Sequence, residues 1–421
     1  MAEEAPPAAK VLSCIQAGRT ILQAIEDFAE DLKSLNHEIH SCPELAFEEF
    51  QAHDNISSLL EQHGFNVTRH AYGIETSLEA IYGSGGRLVT FNAEYDALPG
   101  IGHACGHNLL ATASVAAFIA VAYIVRESTT PGRVRLLGTP AEEGGGGKIK
   151  LIAAGAFDGV NACFLNHPIP ATLGPVQGYS GIADPLTDAT TKVSVTFTGK
   201  AAHPTMAPWQ GKNALDAAVL SHNAISMLRQ QIRPSERIHG VISNGGTRTN
   251  IITETACMEY QFRADSRPAV DALRKRVENC FYGAATATGC SVEIKEGLSY
   301  AEMRINKVIC SEFAAAMEGL GSPVACKFQD AVSRVPASGD QGNVSYVCPA
   351  FHGGFSIPTG KGDFNHTPGF ATASGTEEAF QATLEAAKGM AIVGLKVLQD
   401  DDFATRVRAD FDEDCRRREE S

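Results

Sequence analysis

The run from Asn108 to Val125 carries no charged residue, and it limits what the rest of the chain can be. It reaches only the lower limit for crossing a bilayer and contains Asn108, Thr112 and Ser114, so it reads as a helix buried on all sides rather than a membrane span. A helix apolar around its whole circumference needs packed layers about it, and 421 residues leave room for two or three domains. The flanking text supplies those layers. RLVTFNAEYDALPG, from Arg87, is a buried strand that ends in a polar loop. RVRLLGTP, after Pro131 and Gly132, is a second strand, followed by the loop AEEGGGG and a helix over Lys148 to Ala154. Ala162 to Leu165 is a third, ending at Asn166-His167-Pro168. Upstream, residues 18–35 and Ile56 to His63 have helical spacing, and Gly64 to Tyr72 and Thr76 to Tyr82 are strand-like. Strand, loop and helix alternate, which predicts an α/β domain with a mixed sheet and with ligands gathered at the carboxyl ends of its strands.

Near Asp188 the pattern changes. Lys192 to Gly199, Arg237 to Ser243, Cys257 to Asp265 and Cys290 to Glu296 read as strands, with helices over Asn213 to Gln231 and Pro268 to Thr288. The order is β-α-β-β-α-β, a ferredoxin-like unit. The expected organisation is a discontinuous catalytic domain, 1–188 and 300–421, into which a ferredoxin-like domain, 189–299, is inserted. Asn306 to Gly319 and Thr376 to Leu398 complete the catalytic domain as helices, Asp340 to Phe370 as strand and loop, and the charged tail from Asp400 reads as a solvated helix end.

Lys and Arg total 35 against 49 Asp and Glu, a formal charge of −14, which argues against nucleic acid as partner because phosphate binding needs a basic face. No membrane partner is expected. The eleven cysteines form no CxxC pair, so neither a disulfide framework nor a zinc ribbon is indicated. The first residues, MAEEAPPAAK, lack the basic start and apolar stretch of a secretory signal, and a cytoplasmic location is expected.

The chemistry is concentrated in the loops. Glu94-Tyr95-Asp96-Ala97-Leu98-Pro99-Gly100-Ile101-Gly102-His103-Ala104-Cys105-Gly106-His107 places a thiolate and an imidazole two residues apart, both good ligands for a borderline-soft divalent ion. In the AEEGGGG loop, Glu142 and Glu143 are adjacent carboxylates that ionise together most easily beside a cation, one as ligand and one as general base for water. His167 ends a buried strand and His366 sits in a late Asn-His-Thr loop. Cys105, His107, Glu143, His167 and His366 are too many donors for one tetrahedral structural zinc and suit two ions sharing a bridge. A phosphate loop fails, since Gly147-Lys148 is followed by Ile149 rather than Ser or Thr. A serine-hydrolase elbow fails at Ile182. A nucleophilic Cys105–His107 pair would leave Glu142, Glu143, His167 and His366 without a role.

In combination and order, GIGHACGHN, PAEEGGGGK, NHP, GKAAHP and FNHT resemble the dinuclear-metal peptidase and amidohydrolase family, the M20 metallopeptidases, in its cysteine-ligand branch. Within that branch the chain is similar to the subgroup of aminobenzoyl-glutamate hydrolase and β-alanyl-lysine dipeptidase-like proteins. The likeness runs from about Ile39 to the C-terminal helix. It implies that Cys105 bridges two divalent ions, with His107, Glu143, His167 and His366 as the other ligands. Glu142 is then the general base, and Asp96 orients the site. Glu94 stands where other branches place a ligating His. The inserted domain resembles the family's lid and dimerisation domain, which implies a homodimer. There His203 matches the residue that polarises the scissile carbonyl, and Asn250 and Arg263 the positions that meet the substrate carboxylate. The stretch from His352 to Gly362 departs from the family text and is assigned to the substrate pocket.

The implied activity is hydrolysis of the amide bond of a small N-acyl amino acid or dipeptide through a metal-activated water. The alternatives are the same site forming an amide by N-acylation of an amino acid, a metal-free binding protein on this fold, and a cysteine-dependent transferase. Thiolate favours zinc, with manganese, cobalt and nickel the other candidates.

Overall fold

A computed structural model describes residues 14–127, 131–173, 176–328 and 337–420. The strands are β1 (Val67–Arg69), β2 (Leu78–Ser84), β3 (Arg87–Ala93), β4 (Gly132–Gly138), β5 (Ala162–Pro170), β6 (Gly181–Ile182), β7 (Ala189–Thr198), β8 (Arg237–Asn244), β9 (Thr255–Ala264), β10 (Ser291–Tyr300) and β11 (Ala350–Ile357). The chain divides into two compact units.

The first unit comprises the described residues up to Leu186, 303–328 and those from Asn343 onward. Its seven-stranded sheet has the order β1-β2-β4-β3-β5-β11-β6. β4, β3, β5 and β11 run parallel, and β2 and β6 are antiparallel to their neighbours, so the sheet is mixed. The central strands are rich in Val, Leu and Phe because both of their faces are covered. The uncharged run forms the helix His107–Glu127, almost wholly buried between β3, β4 and β5 on one side and the helices Cys14–Asp27, Ala29–Ser41 and Glu377–Gln399 on the other. The opposite face of the sheet carries a smaller apolar cluster that includes Leu88, Leu137, Leu151 and Phe157. The one described helix long and apolar enough to cross a membrane is thus the spine of this core.

Three expectations are corrected here. Residues 18–35 form not one helix but the end of Cys14–Asp27 and the start of Ala29–Ser41, interrupted at Phe28. The Phe28 ring is seated between His63 and Tyr123, with ring centroids 4.5 and 5.4 Å away, and this tertiary packing overrides a continuous helical pattern. β5 does not stop at Leu165 but continues to Pro170, so His167 lies within the strand and pairs in register with Gly354 of β11. The tail from Asp400 is a full helix, Asp401–Glu420, that buries Phe403, Val407 and Phe411. Those three residues, four apart, form an apolar stripe that the surrounding charge conceals. Asn306 Nδ2 donates to Val407 O at 2.9 Å, Lys307 N to Asp410 Oδ2 at 2.8 Å, and the Arg304 guanidinium pairs with Asp414.

The second unit spans Thr187–Glu302 and takes in 337–342. Its four strands are antiparallel in the order β10-β7-β9-β8. The helices Ala214–Leu228 and Arg267–Thr288 pack on the sheet. Alternate residues of β9, among them Met258, Tyr260 and Phe262, are buried with Val195, Phe197, Leu273 and Phe281. The segment 337–342, read from sequence as catalytic domain, groups with this unit. Asp188 N donates to Ala337 O and Arg263 Nη1 to Ser338 Oγ, both at 2.9 Å. Single bonds to irregular backbone leave no periodic trace in sequence.

Candidate metal centre

The parallel strands of the first unit bring three of the predicted loops to one end of the sheet. β3 runs into Glu94-Tyr95-Asp96, β4 into the loop with Glu142 and Glu143, and β5 carries His167. His107 is the first residue of the buried helix, and His366 precedes the short helix Pro368–Ala373. His366 has φ of +69°, a left-handed conformation, and its backbone N–H donates to Ala104 O at 2.8 Å, which fastens this late loop to the residue before Cys105.

Two sets of donor atoms result. Cys105, His107 and His167 form one and Cys105, Glu143 and His366 the other; within each, the candidate ligand atoms lie within 4.8 Å of one another. Cys105 Sγ is 3.3 Å from His167 Nε2, and His366 Nε2 is 3.2 Å from Glu143 Oε1. A third set, Glu94, His107 and Glu142, meets the same criterion. Glu94 is already engaged: the buried Lys148 Nζ holds its Oε1 at 2.5 Å.

Hydrogen bonds fix the free face of each imidazole. His107 Nδ1 donates to Asp96 O at 2.8 Å and faces Asp96 Oδ1 at 3.2 Å, which leaves Nε2 as the nitrogen free to meet a ligand. Against burial, Cys105 and Asp96 hold the metal-free imidazole well above its ordinary value, so Nε2 gives up a proton when a cation binds. His167 Nδ1 donates to Pro168 O at 2.8 Å, which likewise leaves its Nε2 free. Asp96 Oδ2 accepts the Glu143 backbone N–H at 2.9 Å, and Asp96 is therefore tied to both sets. His107 Nε2 and Glu94 Oε2 face each other at 3.3 Å, fully buried, and neither has a hydrogen-bond partner among the described residues. A buried imidazole nitrogen and a carboxylate oxygen facing each other in this way, beside a thiol and further carboxylates, form a donor set that fits a divalent cation of intermediate softness once the imidazole has lost its proton.

The electrostatics agree. Burial, with Glu143 adding to it, pushes the Cys105 thiol well above its ordinary value, so a thiolate forms there only with a compensating cation. Burial lowers His167 to about 4, helped by the charge on His107, and keeps it a neutral donor. Burial pushes Asp96 up, but the hydrogen bond with His107 and the backbone N–H groups of Glu143 and Glu142 outweigh it and hold the group ionised. For Glu143 the same opposition is won by His366 and His107.

All five expected ligands, with Glu142 and Asp96, belong to the first unit. Glu142 Oε2 is 4.0 Å from His107 Nε2. His203, Asn250 and Arg263 belong to the second unit. His203 is exposed and its Nδ1 accepts the N–H groups of Thr205 and Met206 at 3.2 Å; Asn250 is exposed in the turn after β8; Arg263 lies on β9, bonded to Ser338. The stretch from His352, read as pocket lining, begins instead as strand β11, where His352 lies 6.2 Å from His167 between ring centroids and burial lowers it to about 3. Two buried groups carry no mark in the sequence: Lys148 resembles only the lysine of an incomplete phosphate loop, and Glu49 falls in the PELAFEE text without a spacing that distinguishes it.

A family model described as "Peptidase family M20/M25/M40" matches residues 90–390, which contain every donor named above. The mouse Xaa-Arg dipeptidase is 39% identical over 417 residues, covering 96% of this chain and 93% of that protein. A p-aminobenzoyl-glutamate hydrolase chain of Escherichia coli is 32% identical over 323 residues, covering 72% of this chain and 66% of that protein. Among solved structures, a Bacillus subtilis protein described as a dinuclear metal binding peptidase superposes with a TM-score of 0.67 at 22% identity, covering 89% of this chain and 99% of that one. With a family model over most of its length and a near full-length relative at that identity, the chain belongs to peptidase family M20/M25/M40.

Proposed function

We propose that this protein is a metal-dependent dipeptidase and amidohydrolase, and that its substrates include dipeptides with a basic C-terminal residue, as the name of the mouse relative suggests. The observation that supports it most is the pair of donor sets sharing Cys105, beside Glu142, which belongs to neither. Cys105, His107 and His167 would hold one ion and Cys105, Glu143 and His366 the other. Two divalent ions held by these residues would supply Lewis acidity for activating water and polarising the amide carbonyl.

The chain's own groups do the rest. The Glu142 carboxylate accepts a proton from the attacking water as its oxygen bonds to the amide carbon. When the C–N bond breaks, Glu142 delivers that proton to the leaving nitrogen, so the products are a free acid and an amine. Asp96 keeps His107 in the tautomer that exposes Nε2. His203 donates to the carbonyl oxygen as negative charge develops on it, and Asn250 and Arg263 bind the substrate carboxylate. Zinc and manganese are the ions we favour.

The second unit is proposed as the homodimer contact. β8 is an edge strand with exposed Val241 and Ile242, and the helix Ala214–Leu228 exposes Val219, Leu220 and Met227. A cytoplasmic location suits a chain with no disulfide among its described residues.

The deciding experiment incubates purified protein, with zinc or manganese, with a panel of Xaa-Arg and Xaa-Lys dipeptides, N-acyl amino acids and aminobenzoyl-glutamate. Products are identified by mass. Release of acid and amine supports the reading. Turnover of none of them with either metal sinks it, and amide synthesis from the free components would reverse its direction.

A further inference from the structure

The helix Phe50–Gln62 begins one residue after Glu49, the position at which a carboxylate ordinarily caps the helix's own first N–H groups. Glu49 does not do this. Glu44 takes over the task, its two carboxylate oxygens accepting from Gln51 N at 3.0 Å and Ala52 N at 2.9 Å. Glu49 is turned inward instead, fully buried, and its Oε1 accepts the backbone N–H of Ala141 at 2.8 Å. Its other oxygen is buried beside the Thr76 hydroxyl.

Ala141 is a strained residue. Its φ is +61°, the left-handed region that costs a residue with a β-carbon roughly 1–2 kcal/mol. It stands immediately before Glu142 and Glu143, so its backbone direction decides where those carboxylates go. The loop is wound about it: Ala141 O accepts from Gly145 N at 3.1 Å and Gly147 N at 3.3 Å. Phe47 packs on the same turn, so that a β-carbon at position 145 would come within 2.6 Å of its ring, and Lys150 Nζ lies 3.8 Å above that ring. The segment from Glu44 to Phe50 also reaches the other loop, since Ala97 N donates to Glu44 O at 2.7 Å, next to Asp96.

We propose that Glu49 is a positioning residue for the reaction: its carboxyl group holds Ala141 in the left-handed turn and thereby sets the Glu142 and Glu143 carboxylates. The inference rests on the proposed hydrolytic activity, and its test separates the two. Burial, with Asp96 adding to it, raises Glu49 to about 7, so the carboxyl is substantially protonated near neutrality and an amide is a close mimic of it.

The test compares Glu49→Gln, Glu49→Asp, Glu49→Leu and the double variant Glu49→Leu with Ala141→Gly, each in the full chain. Gln keeps an acceptor oxygen at the same reach and retains most of kcat. Leu removes it and lowers kcat about 100-fold with KM little changed, the scale of a displaced catalytic group. Glycine adopts the left-handed turn without penalty, so the double variant regains roughly tenfold. Zinc affinity, measured by chelator competition without substrate, falls about 10- to 100-fold in Glu49→Leu because Glu143 is displaced as well. Should Glu49→Leu not be recovered folded, Gln and Asp decide: Asp is one methylene short and must be markedly worse than Gln in both readouts. A wild type that hydrolyses no substrate defeats the activity reading alone, since zinc affinity still judges Glu49. The proposal is overturned if Glu49→Leu keeps wild-type zinc affinity, if Ala141→Gly restores nothing to a folded Glu49→Leu, or if Asp equals Gln.

Discussion

Cys105 Sγ and His167 Nε2 are 3.3 Å apart although 62 residues separate them in the chain. Cys105 is also the one residue common to two of the donor sets, those completed by His107 with His167 and by Glu143 with His366. Replacing it with Ser puts a harder, less acidic donor at the shared position, and bound metal falls from two ions per chain toward one or none. Elemental analysis after gel filtration checks this, and two retained ions would rule out a bridging role.

Glu142→Gln keeps the shape of the loop and removes the proton acceptor. Turnover falls by about 10²–10⁴, the usual worth of general-base catalysis, while metal content stays at the wild-type level. Steady-state rates and elemental analysis on one preparation test both halves of the expectation. Unchanged turnover removes Glu142 from the mechanism.

If Cys105 is a ligand as proposed, metal uptake releases protons, because its thiol, raised by burial and Glu143, must ionise to bind. Zinc affinity therefore climbs between pH 6 and pH 8, and this slope is shallower in Cys105→Ser. Removal of the ions by a chelator abolishes turnover and lowers the melting temperature, and added zinc or manganese restores both. Titrations at two pH values and a melting curve read these effects. Full turnover in chelator would refute a metal requirement.

The raised carboxyl of Glu49 has a stability signature in the metal-free protein. Its folded pKa of about 7 exceeds the ordinary carboxylate value, so between pH 4.5 and 7 the folded state holds a proton that the unfolded chain has lost. This contribution is present in full below pH 4.5 and declines as pH rises through 7, by about 3 kcal/mol at most. Glu49→Gln cannot ionise. Its stability relative to wild type rises across that window, and denaturant unfolding at pH 4.5 and pH 8 measures the difference. A constant offset at the two pH values would contradict the shift.

Val241→Glu places a charge on the exposed edge strand β8. If that edge pairs with a second copy, wild type runs at twice the chain mass by light scattering and the variant at the single mass. A monomeric wild type at micromolar concentration would end the dimer proposal.

The residues we propose as metal donors stand out in the sequence because ligand chemistry demands residue types, Cys, His and Glu, in glycine-rich loops at strand ends, and the fold brings them within reach of one another. The mixed α/β class followed from strands that alternate with helices about an uncharged core run. What escaped had other causes. Phe28 divides a periodic helix through contacts with His63 and Tyr123, which lie 35 and 95 residues further along the sequence. Glu49 and Lys148 act through buried contacts with Ala141 and Glu94, and a lone Glu or Lys in sequence carries no sign of burial. Segment 337–342 joins the second unit by a few hydrogen bonds with no periodicity to betray them.

The terminal helix Asp401–Glu420 has a bearing on biogenesis. Its residues Val407, Asp410 and Asp414 clasp Asn306, Lys307 and Arg304, where the chain re-enters the first unit. That clasp cannot close on a growing polypeptide until residue 414 has cleared the ribosomal tunnel. The inserted ferredoxin-like unit, complete in sequence much earlier except for 337–342, is free to fold while translation continues. A premature stop before Val407 should leave that unit formed and the catalytic unit open to proteases.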